Sequence, residues 1–234
     1  MSTFAPKPQS SYTPAPAGTH VARCVQLINI GTIDGEYEGK PIKSYKIRLA
    51  WELPNETKVF DEAKGPQPIL VNQEFTLSLN SKAGLRKIVE GMIGVVLKDE
   101  EAYSFDIEKI VGMPCLLTII HKTSLKGKVY DKIASASPLV KGMSVPDQVN
   151  VSKILSFNDF DYKLFDTLPT FLKEKIASSD EYTQMFANEG QEFPELPVAQ
   201  EGFVASIDDE FDEVAEELED VEDVENLPEE VPFN

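Results

Sequence analysis

The chain has 234 residues, 41% hydrophobic and 26% charged, which is enough apolar content for a folded core and excludes disorder throughout. Its formal net charge of -18 is segregated: residues 1–150 hold 18 Lys and Arg against 16 Asp and Glu, residues 151–200 hold 4 against 9, and residues 201–234 hold none against 15. A slightly basic body with an acidic end leaves nucleic acid open as a ligand, although the whole-chain charge argues against it.

Residues 1–17 are rich in Pro, Ser and Ala and read as a flexible arm. From Gly18, THVARCVQLINIG is dense in apolar and β-branched residues and is followed by DGEYEGK, a strand and then a turn. In PIKSYKIRLAWEL, Tyr45, Ile47, Leu49 and Trp51 alternate with Ser44, Lys46 and Arg48, which gives a second strand with one apolar and one basic face. ILVNQEFTLSL alternates in the same way and is a third strand. In SKAGLRKIVEGMIG the period changes: Leu85, Ile88, Val89 and Met92 follow helical spacing, with Ser81 as a possible cap.

KDEEAYSFDIEKIVG reads as a second helical piece, closed by Gly112 and Pro114. MPCLLTIIHK is a fourth strand, Lys126-Gly127 marks a turn, and KVYDKIASASPL is a fifth. Three strands, a helix and two strands is the order of an oligonucleotide-binding barrel, in which the second and third strands and nearby loops usually form the ligand face. The expected fold is thus mainly β with an inserted helix: an OB-fold five-stranded barrel over 18–140, a linker over 141–160, short helices packing on the barrel over 161–187, and a disordered acidic tail over 188–234.

The sequence holds no catalytic constellation. There is no Gly-rich phosphate loop, Cys-x-x-Cys, His-Glu-x-x-His or nucleophile elbow. Asp99-Glu100-Glu101 reads better as a solvated first helical turn than as a magnesium site. Cys24 and Cys115 lie in apolar runs as buried thiols, and with His20 and His121 as the only histidines no zinc site forms. No enzyme activity and no cofactor are expected. No stretch approaches the roughly 20 apolar residues of a membrane span, and the N-terminus lacks a signal-peptide core, so a soluble, cytoplasmic protein without membrane contact is expected.

The cations Lys43, Lys46, Arg48, Lys82, Arg86, Lys87, Lys122, Lys126, Lys128 and Lys132 form a set able to follow a phosphate backbone. Single-strand binders combine such a groove with aromatics that stack bases. Trp51, Tyr45 and Phe75 fall on the core phase, whereas Tyr37 and Tyr130 suit either a stacking role or an ordinary surface position.

The tail ends in Glu229, Glu230, Val231, Pro232 and Phe233, carboxylates followed by an aliphatic residue, Pro and Phe. That run resembles the tail tip of bacterial single-stranded DNA-binding proteins, with the departure that Asn234 follows the Phe. PAGTHVARCVQLINIGT, FTLSLNSKAGLRKIVEG, IVGMPCLLTIIH and LPTFLKEKIASSDEY resemble single-stranded DNA-binding proteins of tailed bacteriophages over about residues 12–182. The resemblance implies a non-enzymatic protein in the host bacterium's cytoplasm whose barrel coats single-stranded DNA without sequence preference during replication, recombination or repair. It also implies that Val231, Pro232 and Phe233 recruit replication or recombination proteins. The alternative is an acidic interaction module, or DNA mimic, that inhibits a host nucleic-acid enzyme. Oligomeric state is left open.

Overall fold

A computed structural model describes residues 13–189, apart from 38, 125 and 126. The elements run β1 (Gly18–Tyr37), β2 (Lys40–Asp61), β3 (Gly65–Thr76), α1 (Gly84–Ile93), α2 (Asp99–Tyr103), a 3-10 turn (Ile107–Ile110), β4 (Pro114–Thr123), β5 (Val129–Ser137), β6 (Lys153–Leu155), α3 (Tyr162–Asp166), α4 (Thr170–Ala177) and α5 (Asp180–Glu189). The fold is mainly one antiparallel sheet, ordered β3-β2-β1-β4-β5 and open between β3 and β5, with β6 added parallel to β1.

β1 reaches so many partners because it is long and irregular. Its first part, Gly18 to Arg23, pairs with β4, while Arg23 onward pairs with β2 along the opposite edge. β6 takes the edge that β4 leaves, beside Gln26 to Ile28. A register shift between Cys24 and Gln26 places one extra residue, Val25, in β1. Since strand side chains alternate, an inserted residue exchanges the two faces. Ala22, Cys24 and, past the bulge, Leu27 therefore enter one core, while Ile28 and Ile30 enter another.

The first core lies inside the curved sheet, where Ile47, Leu49, Trp51, Leu53, Val71, Leu117 and Ile119 meet Leu85, Val89 and Met92 of α1. The apolar spacing predicted the α1 face, but the start of the helix is different. Its N-cap is Ala83 with no side-chain cap, because a turn closed by the Ala83 N–H to Asn80 O bond separates Ser81 from the helix. Gly91 lets α1 lie against β5: a Cβ there would sit 2.2 Å from the Ala136 carbonyl oxygen.

The second core lies on the opposite face of the sheet. Ile28, Ile30 and Leu155 pack with Phe165, Leu168, Leu172, Ile176, Tyr182 and Phe186 of the C-terminal helices. Each such buried side chain contributes about 1.5–3 kcal/mol over its exposed state. Asp161 caps α3, accepting from the Lys163 and Leu164 N–H groups at 2.9 and 3.1 Å.

Residues 141–160 are not simply a linker, since β6 lies among them. The fully buried Glu52 carboxylate also accepts from Val149 N–H at 3.2 Å and from the Asn150 N–H and side-chain amide at 2.9 Å each. A buried charge needs such donors, and here they tie the segment to β2. The disordered tail expected over 188–234 lies, from residue 190, outside the described residues.

Candidate nucleic-acid interface

The β4–β5 hairpin turns at Gly127, which has φ +77 and donates to Ser124 O. In its register Lys122 stands opposite Tyr130 and Ile120 opposite Lys132. Alternation puts these four on one face, with Lys128 preceding the strand in the same phase. The other phase carries the buried pair Ile119 and Ile133, then His121 and Asp131. Ile120 is exposed, and Lys122, Lys128, Tyr130 and Lys132 are half-buried. One face thus presents an aromatic ring among cations, the combination used to stack bases and follow phosphates.

Residues 13–16 lie beside this hairpin. Ala15 is buried; its N–H donates to Asp131 Oδ2 at 3.1 Å, and its carbonyl accepts from His121 Nε2 at 2.7 Å. Pro16 O lies 2.8 Å from His20 Nε2, whose Nδ1 is 3.3 Å from Glu56. The expected flexible arm over 1–17 is in these last residues held by the β4–β5 hairpin and by His20 at the start of β1, and residues 1–12 lie outside the described part.

The expected basic face of β2 is not an open groove. Lys46 and Arg48 are 8% and 7% exposed, because the second core and α4 cover that side of the sheet. Lys46 Nζ donates to Thr76 Oγ1 at 3.0 Å. Arg48 bonds Asn72 and, at 3.4 Å, Glu74, and its guanidinium lies 5.4 Å from the Phe171 ring centroid. Lys175 of α4 reaches Glu74 at 2.5 Å. Period two separates the faces of a strand but does not say which of them a later helix will cover.

Arg86 is also part of the fold. It donates to Glu90 at 2.8 Å, Asp99 at 2.6 Å and Leu79 O at 3.2 Å, and it bonds Leu97 O. The Arg86 hydrogen bond holds the Glu90 carboxyl below its ordinary range. The acidic run from Asp99 to Glu101 serves the same corner, with Glu101 accepting from Lys98 N–H at 2.9 Å. Lys82 and Lys87 are exposed, just before and on the helix that packs against β5.

Lys43 lies on the β1–β2 hairpin with both Asp180 oxygens 2.7 Å from its Nζ, and this hydrogen bond raises its pKa. The Tyr37 side chain, Lys126, and Val231, Pro232 and Phe233 lie outside the described residues. Among the described residues no group of His, Cys, Asp and Glu could hold a metal ion, and no helix is long and apolar enough to cross a membrane.

Sequence reasoning placed Tyr130 on the phase of Lys132 but missed its pairing with Lys122, because a two-residue turn at Lys126-Gly127 would set Lys122 opposite Asp131, one residue off the observed register. It also gave Phe60 no particular role. That ring is 58% exposed near the end of β2, with Lys58 Nζ 5.8 Å from its centroid. No protein-family model matches the sequence, and no curated protein matches it either.

Proposed function

We propose that the chain is a sequence-independent single-stranded DNA-binding protein on an OB-type five-stranded barrel, acting in phage DNA replication, recombination or repair. The observation that carries the reading is the outward face of the β4–β5 hairpin, where Tyr130 stands opposite Lys122 and beside Lys132. The barrel assignment is supported by the order β3-β2-β1-β4-β5 with a helix between β3 and β4. An OB barrel opened between its third and fifth strands has this order. The acidic segment 201–234 competes with phosphates, and its Val231, Pro232 and Phe233 recruit partner proteins.

The test is an anisotropy titration of a labelled oligo-dT with the full chain over a range of salt. Binding should weaken steeply with salt as counterions are released, and Tyr130→Ala should cost about 1–3 kcal/mol if the ring stacks a base. Deleting residues 201–234 should tighten binding. A tail-deleted protein that fails to bind at low salt would end the reading.

A further inference from the structure

Thr32 lies in β1 beyond the stretch that β6 pairs. Its N–H donates to Glu181 Oε2 at 2.6 Å, and its hydroxyl donates to Oε1 of the same carboxylate at 2.7 Å. Asp34, two residues further along β1, stands opposite Lys43, which holds the neighbouring carboxylate, Asp180. Gly31, with φ +95, makes the close approach possible, because a Cβ there would fall 2.7 Å from Glu181 Oε2. Two donors on Thr32 and one ammonium thus face two carboxylates on consecutive residues of α5, while Asp34, 86% exposed, stays 3.8 Å from the same ammonium as a third.

Protection of a strand edge explains a single carboxylate at the Thr32 N–H. It does not explain the hydroxyl bond, nor a second carboxylate on a lysine whose side chain is 54% exposed. A hydroxyl, a backbone N–H and a lysine are ordinary ligands of backbone phosphates. The helix is anchored separately: Tyr182 and Phe186 are buried in the second core, whereas the Asp180 side chain is 41% exposed. The Asp180 carboxylate can therefore swing aside while α5 stays docked, and exchange at Thr32 requires the same of Glu181.

The geometry points to a phosphodiester site on the β1–β2 hairpin, formed by the Thr32 N–H, the Thr32 hydroxyl and the Lys43 ammonium, which Glu181 and Asp180 occupy in the DNA-free protein. The inference rests on the single-stranded DNA reading above. Binding exchanges two carboxylates for phosphate oxygens, so α5 holds down affinity until DNA displaces them.

The test compares the full-length protein with D180N/E181Q, titrated with labelled oligo-dT at several salt concentrations. The double variant should bind about tenfold tighter at low salt, and its salt slope should steepen by about 0.7 for each phosphate newly engaged. Adding T32V and K43A should abolish the gain. D180N alone leaves the Glu181 bonds intact and should show a smaller gain, which keeps the test valid if the double variant loosens α5. Unchanged affinity in both carboxylate variants, or a gain that survives T32V/K43A, overturns the site while leaving the DNA reading standing. If neither the wild-type protein nor any variant binds, both readings fall.

Discussion

Gln73 of β3 reaches across the open side of the sheet and accepts the Ile133 N–H of β5 through Oε1 at 2.9 Å. The side chain takes the place of a ladder bond where the two edge strands do not pair. Gln73→Leu removes the acceptor and leaves the buried Ile133 amide unsatisfied, at a cost of about 1–3 kcal/mol. Urea unfolding should show a lower midpoint with an unchanged slope.

Gly91→Ala should be among the most damaging single-methyl additions to the protein. The new Cβ would meet the Ala136 carbonyl oxygen at 2.2 Å, and main chain cannot move aside as a side chain can. Overpacking of this kind costs about 1–3 kcal/mol or more. Calorimetry should show the loss, although alanine is the better helix former.

The basic residues should divide into two classes when mutated. Lys122→Ala and Lys132→Ala, on the hairpin face, should each reduce the salt slope of oligo-dT binding by about 0.7. Arg86→Met should lower the melting temperature and leave the salt slope alone, since Arg86 is held by Glu90, Asp99 and two carbonyls. A salt slope that falls equally for Arg86→Met would contradict this division.

Acid should act on the same corner. The Glu90 carboxyl is held low by its hydrogen bond to Arg86. A depressed carboxyl stabilises the fold above its unfolded pKa, and that contribution disappears as pH falls through the folded value. Glu90→Gln should therefore be less stable than wild type at neutral pH, with the difference narrowing as the solution is acidified below the ordinary carboxylate range. Urea midpoints measured across that range would show it.

The two cysteines should be chemically silent in the native protein. Burial pushes the thiols of Cys24 and Cys115 up to about 12, with the neighbouring thiol adding to the shift at Cys24. A thiolate-specific reagent at mild alkaline pH should label neither until denaturant is added.

The sheet order of the strands follows from patterns that survive in one dimension. Alternation over Tyr45 to Trp51 marked the face that packs against α1, and Gly127 marked the last hairpin. What stayed hidden depends on pairings distant in sequence. β6 is three residues long, too short for a period, and is defined only by β1 beside it. The covering of Lys46 and Arg48 depends on helices more than a hundred residues downstream. The ion pair of Arg48 with Glu74 and its contact with Phe171 have no local signature. Of the β4–β5 face, the shared phase of Tyr130 and Lys132 was legible, whereas the register that sets Lys122 opposite Tyr130 was not.

The bulge at Val25 also determines how the protein can be divided. Ile28 and Ile30 belong to β1 by sequence but to the helical layer by packing, so that layer has no complete hydrophobic interior of its own. A chain cut at residue 140, where composition places the end of the barrel, would leave both isoleucines in water and Glu52 without its three donors. The sheet and its helices are therefore one cooperative unit, and dissection experiments should keep residues 13–189 together.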